Sequence, residues 1–178
     1  MNRIIVITAV LLSVLAPQFD AKAEVKVGDM MPSFELVGSD GVTYRGDDLK
    51  GKRAYVIAWF PKAFTGGCTK ECKSMRESGE QLREYDVAYF TASVDPVGKN
   101  TDFAGSLELD YPILSDPDKT LSSKLGVLND RGFTNRWTYY VGVDGKVLFI
   151  DRSVKTTTHG SDIAAKLSEL GIAKKQKN

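Results

Sequence analysis

Cysteine and histidine are the scarce residues of this chain. Two cysteines and a single histidine occur among 178 residues. Two cysteines are too few for a scaffold stapled by disulfides, and one histidine argues against a site built from several imidazoles. Net charge is scarce too. The 24 Lys and Arg residues against 23 Asp and Glu leave a formal charge of +1, which gives no electrostatic case for binding nucleic acid. The hydrophobic fraction is 42% and the charged fraction 26%, an ordinary globular composition that excludes a disordered, collagenous or polytopic membrane protein. The length fits one domain. Stability must come from a hydrophobic core, with the chemistry placed elsewhere.

The first 23 residues differ from the rest. Asn2 and Arg3 give a short positive start, Ile4 to Leu15 is apolar apart from Thr8 and Ser13, and Pro17 breaks the run. Ala21-Lys22-Ala23 places small residues at a cleavage site, the layout of a secretory signal peptide. The run is too short for a spanning helix, which needs about 20 apolar residues. Residues 1–23 are therefore expected to be removed, leaving a domain over 24–178. Removal takes away two basic residues and one acidic residue, so the remainder carries 22 of each. An exported protein, periplasmic or extracellular, works in an oxidising compartment, where two cysteines do not rest as thiols unless something reduces them. No membrane association is expected after cleavage.

Along the domain, Val25 to Pro32 is an entry segment. Phe34–Val37 and Val42–Arg45 flank Gly38-Ser39-Asp40-Gly41, a hairpin signal. Ala54–Phe60 and Val87–Val94 read as buried strands. Residues 66–84 read as one amphipathic helix, with Met75 and Leu82 on a shared face. Asp95-Pro96 opens a further helix towards Leu107. Tyr111–Leu114 is short and extended, and Asp116 or Asp118 caps a small helix that stops at Gly126. A hairpin crosses Asp144-Gly145 between Thr138–Val143 and Lys146–Ile150. Ser161 is the expected cap of a last helix carrying Ile163, Leu167 and Leu170, and Lys174 to Asn178 is an expected solvated tail. The order of elements predicts an α/β, thioredoxin-like fold with an N-terminal β-hairpin and a central mixed sheet flanked by helices. Right-handed crossovers place the end of the Ala54–Phe60 strand and the start of the next helix at one edge of that sheet.

Both cysteines fall in that helix. Cys68 follows Gly66 and Gly67 and opens it, where unpaired N–H groups and the helix dipole favour a thiolate. Thr65 lies three residues earlier with a hydroxyl to offer. An ordinary thiol of pKa about 8.5 is roughly 3% ionised at pH 7, so full ionisation supplies only about 30-fold, or roughly 2 kcal/mol. A fast thiol enzyme must also stabilise charge on the displaced atom, and a fixed cation serves best.

Pro61, Thr65 and Cys68 match the P-x-x-x-T-x-x-C signature of peroxiredoxins. Val27-Gly28-Asp29 with Pro32-Ser33-Phe34 resembles the entry of that family. Ser93-Val94-Asp95, Phe103, Tyr111–Pro117 and Leu125-Gly126-Val127 resemble its middle, and Arg136–Val141 followed by Asp144-Gly145 resembles its late hairpin. The chain is most similar to the peroxiredoxin Q, or bacterioferritin-comigratory, subgroup. The resemblance implies a thiol peroxidase for hydrogen peroxide and organic hydroperoxides that needs no cofactor and no metal. It implies that Cys68 is the peroxidatic cysteine, that Thr65 and Arg136 hydrogen-bond the thiolate and peroxide oxygens, and that Pro61 shields the site. Cys72 becomes the resolving cysteine, and a thioredoxin-like dithiol protein the reductant. A monomer is expected. Cys72 lies four residues after Cys68 where the subgroup usually has five, and Gly66 stands where it often has Pro.

Blander readings exist for each residue. Cysteines at i and i+4 of a helix have Cβ atoms about 5–6 Å apart, while a disulfide needs about 3.8 Å, so an intact helix makes the pair a poor staple. Arg136 alone is a cation near a strand, and Thr65 alone a residue of the helix start. Trp59 and Phe60 suit core and site wall. Glu71 reads as a first-turn carboxylate favoured by the dipole, although an anion near Cys68 opposes ionisation. His159, in a Thr-rich loop, is expected to face solvent. The rival function is a copper carrier of the Sco type, using Cys68, Cys72 and His159, since soft thiolates suit Cu(I). It leaves Thr65 and Arg136 without a use, and a cation beside the site would repel the metal. A thiol–disulfide exchanger would carry C-x-x-C, which is absent.

Overall fold

A computed structural model of the chain describes residues 24–176. The segment read as an export signal lies outside the described residues. Seven strands form one mixed sheet in the order β2-β1-β5-β4-β3-β6-β7. β1 (Glu35–Gly38) and β2 (Thr43–Arg45) form the expected N-terminal hairpin, and Asp40 fastens its turn by accepting from the Val42 N–H at 3.1 Å. A short helix α1 (Gly46–Leu49) follows. β3 (Ala54–Trp59) and β4 (Val87–Ser93) are the two apolar runs, paired in parallel. α4 (Val97–Ser106) leads to β5 (Ile113–Ser115), and α5 (Thr120–Leu125) to β6 (Thr138–Val141) and β7 (Val147–Asp151).

β3 is buried on both faces, as its unbroken apolar sequence requires. Ala54, Val56 and Ala58 pack against Met75, Leu82, Ile163 and Leu167. Tyr55, Ile57 and Trp59 pack against Phe34, Leu121, Leu125 and Val127 on the opposite side. A third cluster joins Phe60, Cys68, Cys72, Phe103 and Ile113, so both cysteines belong to the core.

Three details differ from the sequence reading, and one choice that it left open is decided. The single helix expected over 66–84 is two, α2 (Gly66–Glu77) and α3 (Gly79–Arg83), divided at Ser78. The division is compatible with the pattern, because Met75 and Leu82 still bury against the same sheet face. The last helix, α6, runs His159–Glu169 and starts after Thr158, so Ser161 lies inside its first turn and donates to the Thr158 carbonyl at 2.8 Å. Of the two acids offered as caps for α5, Asp116 accepts from the N–H groups of Thr120, Leu121 and Ser122. The C-terminal tail is tied down at its start, where the Asp86 N–H donates to the Ala173 carbonyl and the Lys175 N–H to the Glu84 carbonyl, each at 2.8 Å.

α6 lies directly on α2, and Gly160 makes the approach possible. Its N–H donates to Ser74 Oγ at 3.1 Å. A Cβ there would overlap the Ser74 carbonyl oxygen and stand 2.7 Å from Ser78 Cβ. Gly160→Ala should therefore destabilise the fold by about 1–3 kcal/mol through overpacking. Urea unfolding measures this, and a midpoint equal to that of the unaltered protein would show that α6 is free to shift.

Candidate active site

The site forms at the carboxyl end of β3. The chain leaves the sheet at Phe60 and Pro61, turns through Lys62–Thr65 and enters α2. Two side chains from elsewhere hold this loop. Asp95 accepts from the Ala63 N–H at 2.8 Å, and the Thr134 hydroxyl donates to the Phe60 carbonyl at 2.6 Å. Phe64 takes a positive φ of 65° and is exposed, with its ring 5.0 Å from that of Phe103. Such a conformation in a bulky residue costs on the order of 1 kcal/mol or more and persists only where its surroundings fix it.

Thr65 is the extended residue before α2. Its carbonyl accepts from the Thr69 N–H at 2.9 Å, and its hydroxyl donates to the Lys62 carbonyl at 2.9 Å. Cys68 lies in the first turn of α2, 1% exposed. The two preceding glycines are not equivalent. Gly66 stands in open space, whereas a Cβ on Gly67 would come within 3.2 Å of Arg136 Nη2. The absent side chain at Gly67 thus leaves room for the cation.

Arg136 arrives through sheet pairing. β6 runs antiparallel to β3 with Thr138 opposite Ala58, and the Trp59 N–H donates to the Trp137 carbonyl at 2.8 Å. The residue before Trp137 therefore lies beside the loop that follows β3. Its guanidinium is divided between two partners. Nη2 donates to Cys68 Sγ at 3.4 Å, and Nη1 donates to Glu71 Oε2.

Glu71 and His159 are the site residues whose positions the sequence reading mistook. Glu71 points inward with no exposure, one helical turn beyond Cys68. His159 is fully buried, not solvent-facing, because α6 docks on α2. Its Nδ1 lies 3.1 Å from Glu71 Oε1 in a bent contact, and neither atom completes a hydrogen bond among the described residues. Its Nε2 lies 2.8 Å from Thr138 Oγ1. The available signals were the i+3 spacing of Glu71 from Cys68, which puts both on one helix face, and a glycine beside His159 at a helix start. His159 thus faces Glu71 and Thr138, so the three residues of the copper reading do not form one ligand set. Among the described residues, no cluster of three His, Cys, Asp or Glu side chains is arranged to hold a metal.

Cys72 lies one turn further along α2, without exposure, among Phe60, Phe103 and Ile113. Burial pushes its thiol up to about 12, and the Tyr111 hydroxyl donates to its carbonyl at 2.9 Å. Both cysteines are free thiols.

Burial, opposed by Asp151 and Asp162 and reinforced by Arg136, pulls His159 down to about 4. An unfolded histidine titrates near 6.5, so below that pH the unfolded chain takes up a proton that the folded chain does not. The stability is fully present above about pH 6.5 and is lost as the pH falls towards 4, by about 3 kcal/mol. With one histidine in the chain, its imidazole resonances are unambiguous by NMR. They should remain at neutral-ring positions down to about pH 5, and a titration at or above 6.5 would show that the ring is charged over Glu71.

The comparisons with known proteins agree with this geometry. Residues 27–150 match the AhpC/TSA family. The chain is 30% identical over 141 residues to peroxiredoxin Bcp of Escherichia coli, covering 75% of this chain and 90% of that protein. It is 29% identical over 150 residues to a putative peroxiredoxin bcp of Coxiella burnetii, covering 80% and 99%. Among solved structures, peroxidoxin BcpB of Mycobacterium tuberculosis superposes with a TM-score of 0.74 at 30% identity, over 82% of this chain and 98% of that one. The chain therefore belongs to the AhpC/TSA family and is a peroxiredoxin of the Bcp/PrxQ type, a thiol peroxidase with the two cysteines Cys68 and Cys72.

Proposed function

We propose that Cys68 is the peroxidatic nucleophile and Cys72 the residue that resolves it. The observation that carries the first assignment is the Arg136 Nη2 donor 3.4 Å from Cys68 Sγ at the start of α2. The Cys68 thiolate attacks the terminal oxygen of a hydroperoxide. An S–O bond forms and the O–O bond breaks, the sulfur is oxidised to a sulfenic acid, and the departing oxygen takes a proton and leaves as water or an alcohol. Arg136 stabilises the thiolate and then the charge on the displaced oxygen. The Thr65 hydroxyl donates its hydrogen bond to the Lys62 carbonyl, so its oxygen retains lone pairs to accept from the O–H of the peroxide. Pro61, half-buried where the chain leaves the sheet, is assigned the shielding of the site from the family resemblance.

The second half-reaction condenses the Cys72 thiol with the sulfenic acid, forming an S–S bond and releasing water. A helical i,i+4 pair has Cβ atoms about 5–6 Å apart against about 3.8 Å in a disulfide, and a thiol held up at about 12 by burial is almost wholly protonated at neutral pH. Both obstacles disappear when the first turns of α2 unwind and bring Cys72 into water. A thioredoxin-like dithiol then returns both cysteines to thiols. The steps call only on the O–O unit, which hydrogen peroxide and organic hydroperoxides share.

The N-terminal segment is read as a cleaved export signal, giving a periplasmic or extracellular enzyme that acts as a monomer. Its positive start, its apolar run and Ala21-Lys22-Ala23 support the export reading.

The test is peptide mapping under non-reducing conditions after one equivalent of hydrogen peroxide. A Cys68–Cys72 bridge within one chain is expected, with Cys68→Ser inert and Cys72→Ser stopping at sulfenic acid. A bridge between two Cys68 residues with Cys72 left free would overturn the resolving role, and turnover by Cys68→Ser would overturn the peroxidatic one.

A further inference from the structure

The steps above use neither Glu71 nor His159, yet both are buried side chains, Glu71 two contacts and His159 three contacts from the reacting sulfur. We propose that His159 is a positioning residue for peroxide reduction, which acts through Glu71 to hold the Arg136 guanidinium against Cys68. The inference rests on the reading of Cys68 as the reacting residue.

The guanidinium is planar and rigid, so fixing one amino group fixes the direction of the other. Arg136 gives Nη1 to Glu71 and Nη2 to Cys68, and the aim of Nη2 therefore depends on where the Glu71 carboxylate lies. That carboxylate sits on a flexible side chain and has one oxygen on Arg136. The other oxygen lies 3.1 Å from His159 Nδ1 and completes no hydrogen bond among the described residues. The neutral ring carries one proton. A carboxylate opposite Nδ1 places the proton there, which leaves Nε2 to accept from the Thr138 hydroxyl at 2.8 Å. The ring is held in turn by the seating of α6 on α2 through Gly160 and Ser74. A continuous set of contacts thus runs from β6 through α6 and α2 back to the residue before Trp137.

Without the imidazole, Glu71 Oε1 is buried without that neighbour. A carboxylate in that state turns away or takes up a proton, and either change loosens Nη1 and with it the donor on the sulfur.

The experiment measures the second-order rate of Cys68 oxidation by hydrogen peroxide in the reduced full chain. His159→Leu should react about ten- to a hundredfold more slowly, the scale of a small misplacement at a reacting centre. His159→Asn, whose amide N–H overlays Nδ1, should recover to within about threefold of the unaltered protein, while His159→Gln, which overlays Nε2, should remain slow. In a Glu71→Gln background the His159→Leu penalty should shrink, because the two residues act as one unit. Equal rates for His159→Leu and the unaltered protein, equal impairment of the Asn and Gln variants, or an undiminished penalty in the Glu71→Gln background would each overturn the proposal. The Asn and Gln comparison decides the matter if His159→Leu does not fold. A Cys68→Ser arm separates the two readings: peroxide consumption that persists there overturns the role of Cys68, whereas an inert Cys68→Ser protein with an unslowed His159→Leu variant overturns the role of His159 alone.

Discussion

The site depends on one shared cation. Arg136 stands between the sulfur that reacts and the buried Glu71 carboxyl group, and it donates to both. The arrangement brings two groups that ionise to the same charge onto one helical turn, which repulsion alone would not allow. It also explains why Glu71 can be fully buried without being a fault. A buried carboxylate is costly unless it is paired and hydrogen-bonded, and here the guanidinium supplies the charge while the interior of the protein keeps water from competing for it. The sheet registers Arg136 to within hydrogen-bond distance of Cys68 through the pairing of β6 with β3, and Gly67 leaves the space it occupies.

The same packing that readies Cys68 stores the second cysteine out of reach. Cys72 is buried, its thiol held protonated and its carbonyl bonded by Tyr111. Glu71 lies between the two cysteines in sequence, so unwinding that turn withdraws the carboxylate from Arg136 at the same moment that it frees Cys72. Resolution therefore opposes the interaction on which the first step relies. On the proposed mechanism the two steps require two conformations of α2, and the contacts of Glu71 and Tyr111 hold the one seen here. Local openings of this kind cost less than global unfolding and are drawn from elements with few tertiary anchors. Here the second half of α2 is anchored at Ser74 by α6.

Much of this was legible in the sequence, and the remainder has identifiable causes. Ala54–Phe60 and Val87–Val94 announced buried strands by unbroken apolarity, and both do form central strands. The Asp-Gly turns announced both hairpins. Cys68 after two glycines and a strand was visible as a helix-start thiol. The break at Ser78 was not visible, because periodicity carries across it. The burial of Glu71 depends on a partner 65 positions away, and that of His159 on the docking of a helix whose neighbouring residues in sequence are polar. Local pattern records which face of an element is apolar, but it does not record a polar group drawn inside by another polar group. The conformation of the Thr65 hydroxyl, turned to Lys62, is likewise a property of the closed loop and not of the motif.

The central claim is that Arg136 supplies the donor that makes Cys68 reactive. The direct measurement is the stopped-flow rate of sulfenic acid formation in reduced Cys72→Ser protein, compared with the same protein carrying Arg136→Met. Loss of a charged donor at developing charge costs about 2.7–4 kcal/mol, so the rate should fall by roughly 10²–10³, and Arg136→Lys should also be slow because a point charge cannot divide itself between Glu71 and the sulfur as the planar fork does. An Arg136→Met protein that is folded and reacts at the parent rate would contradict the account.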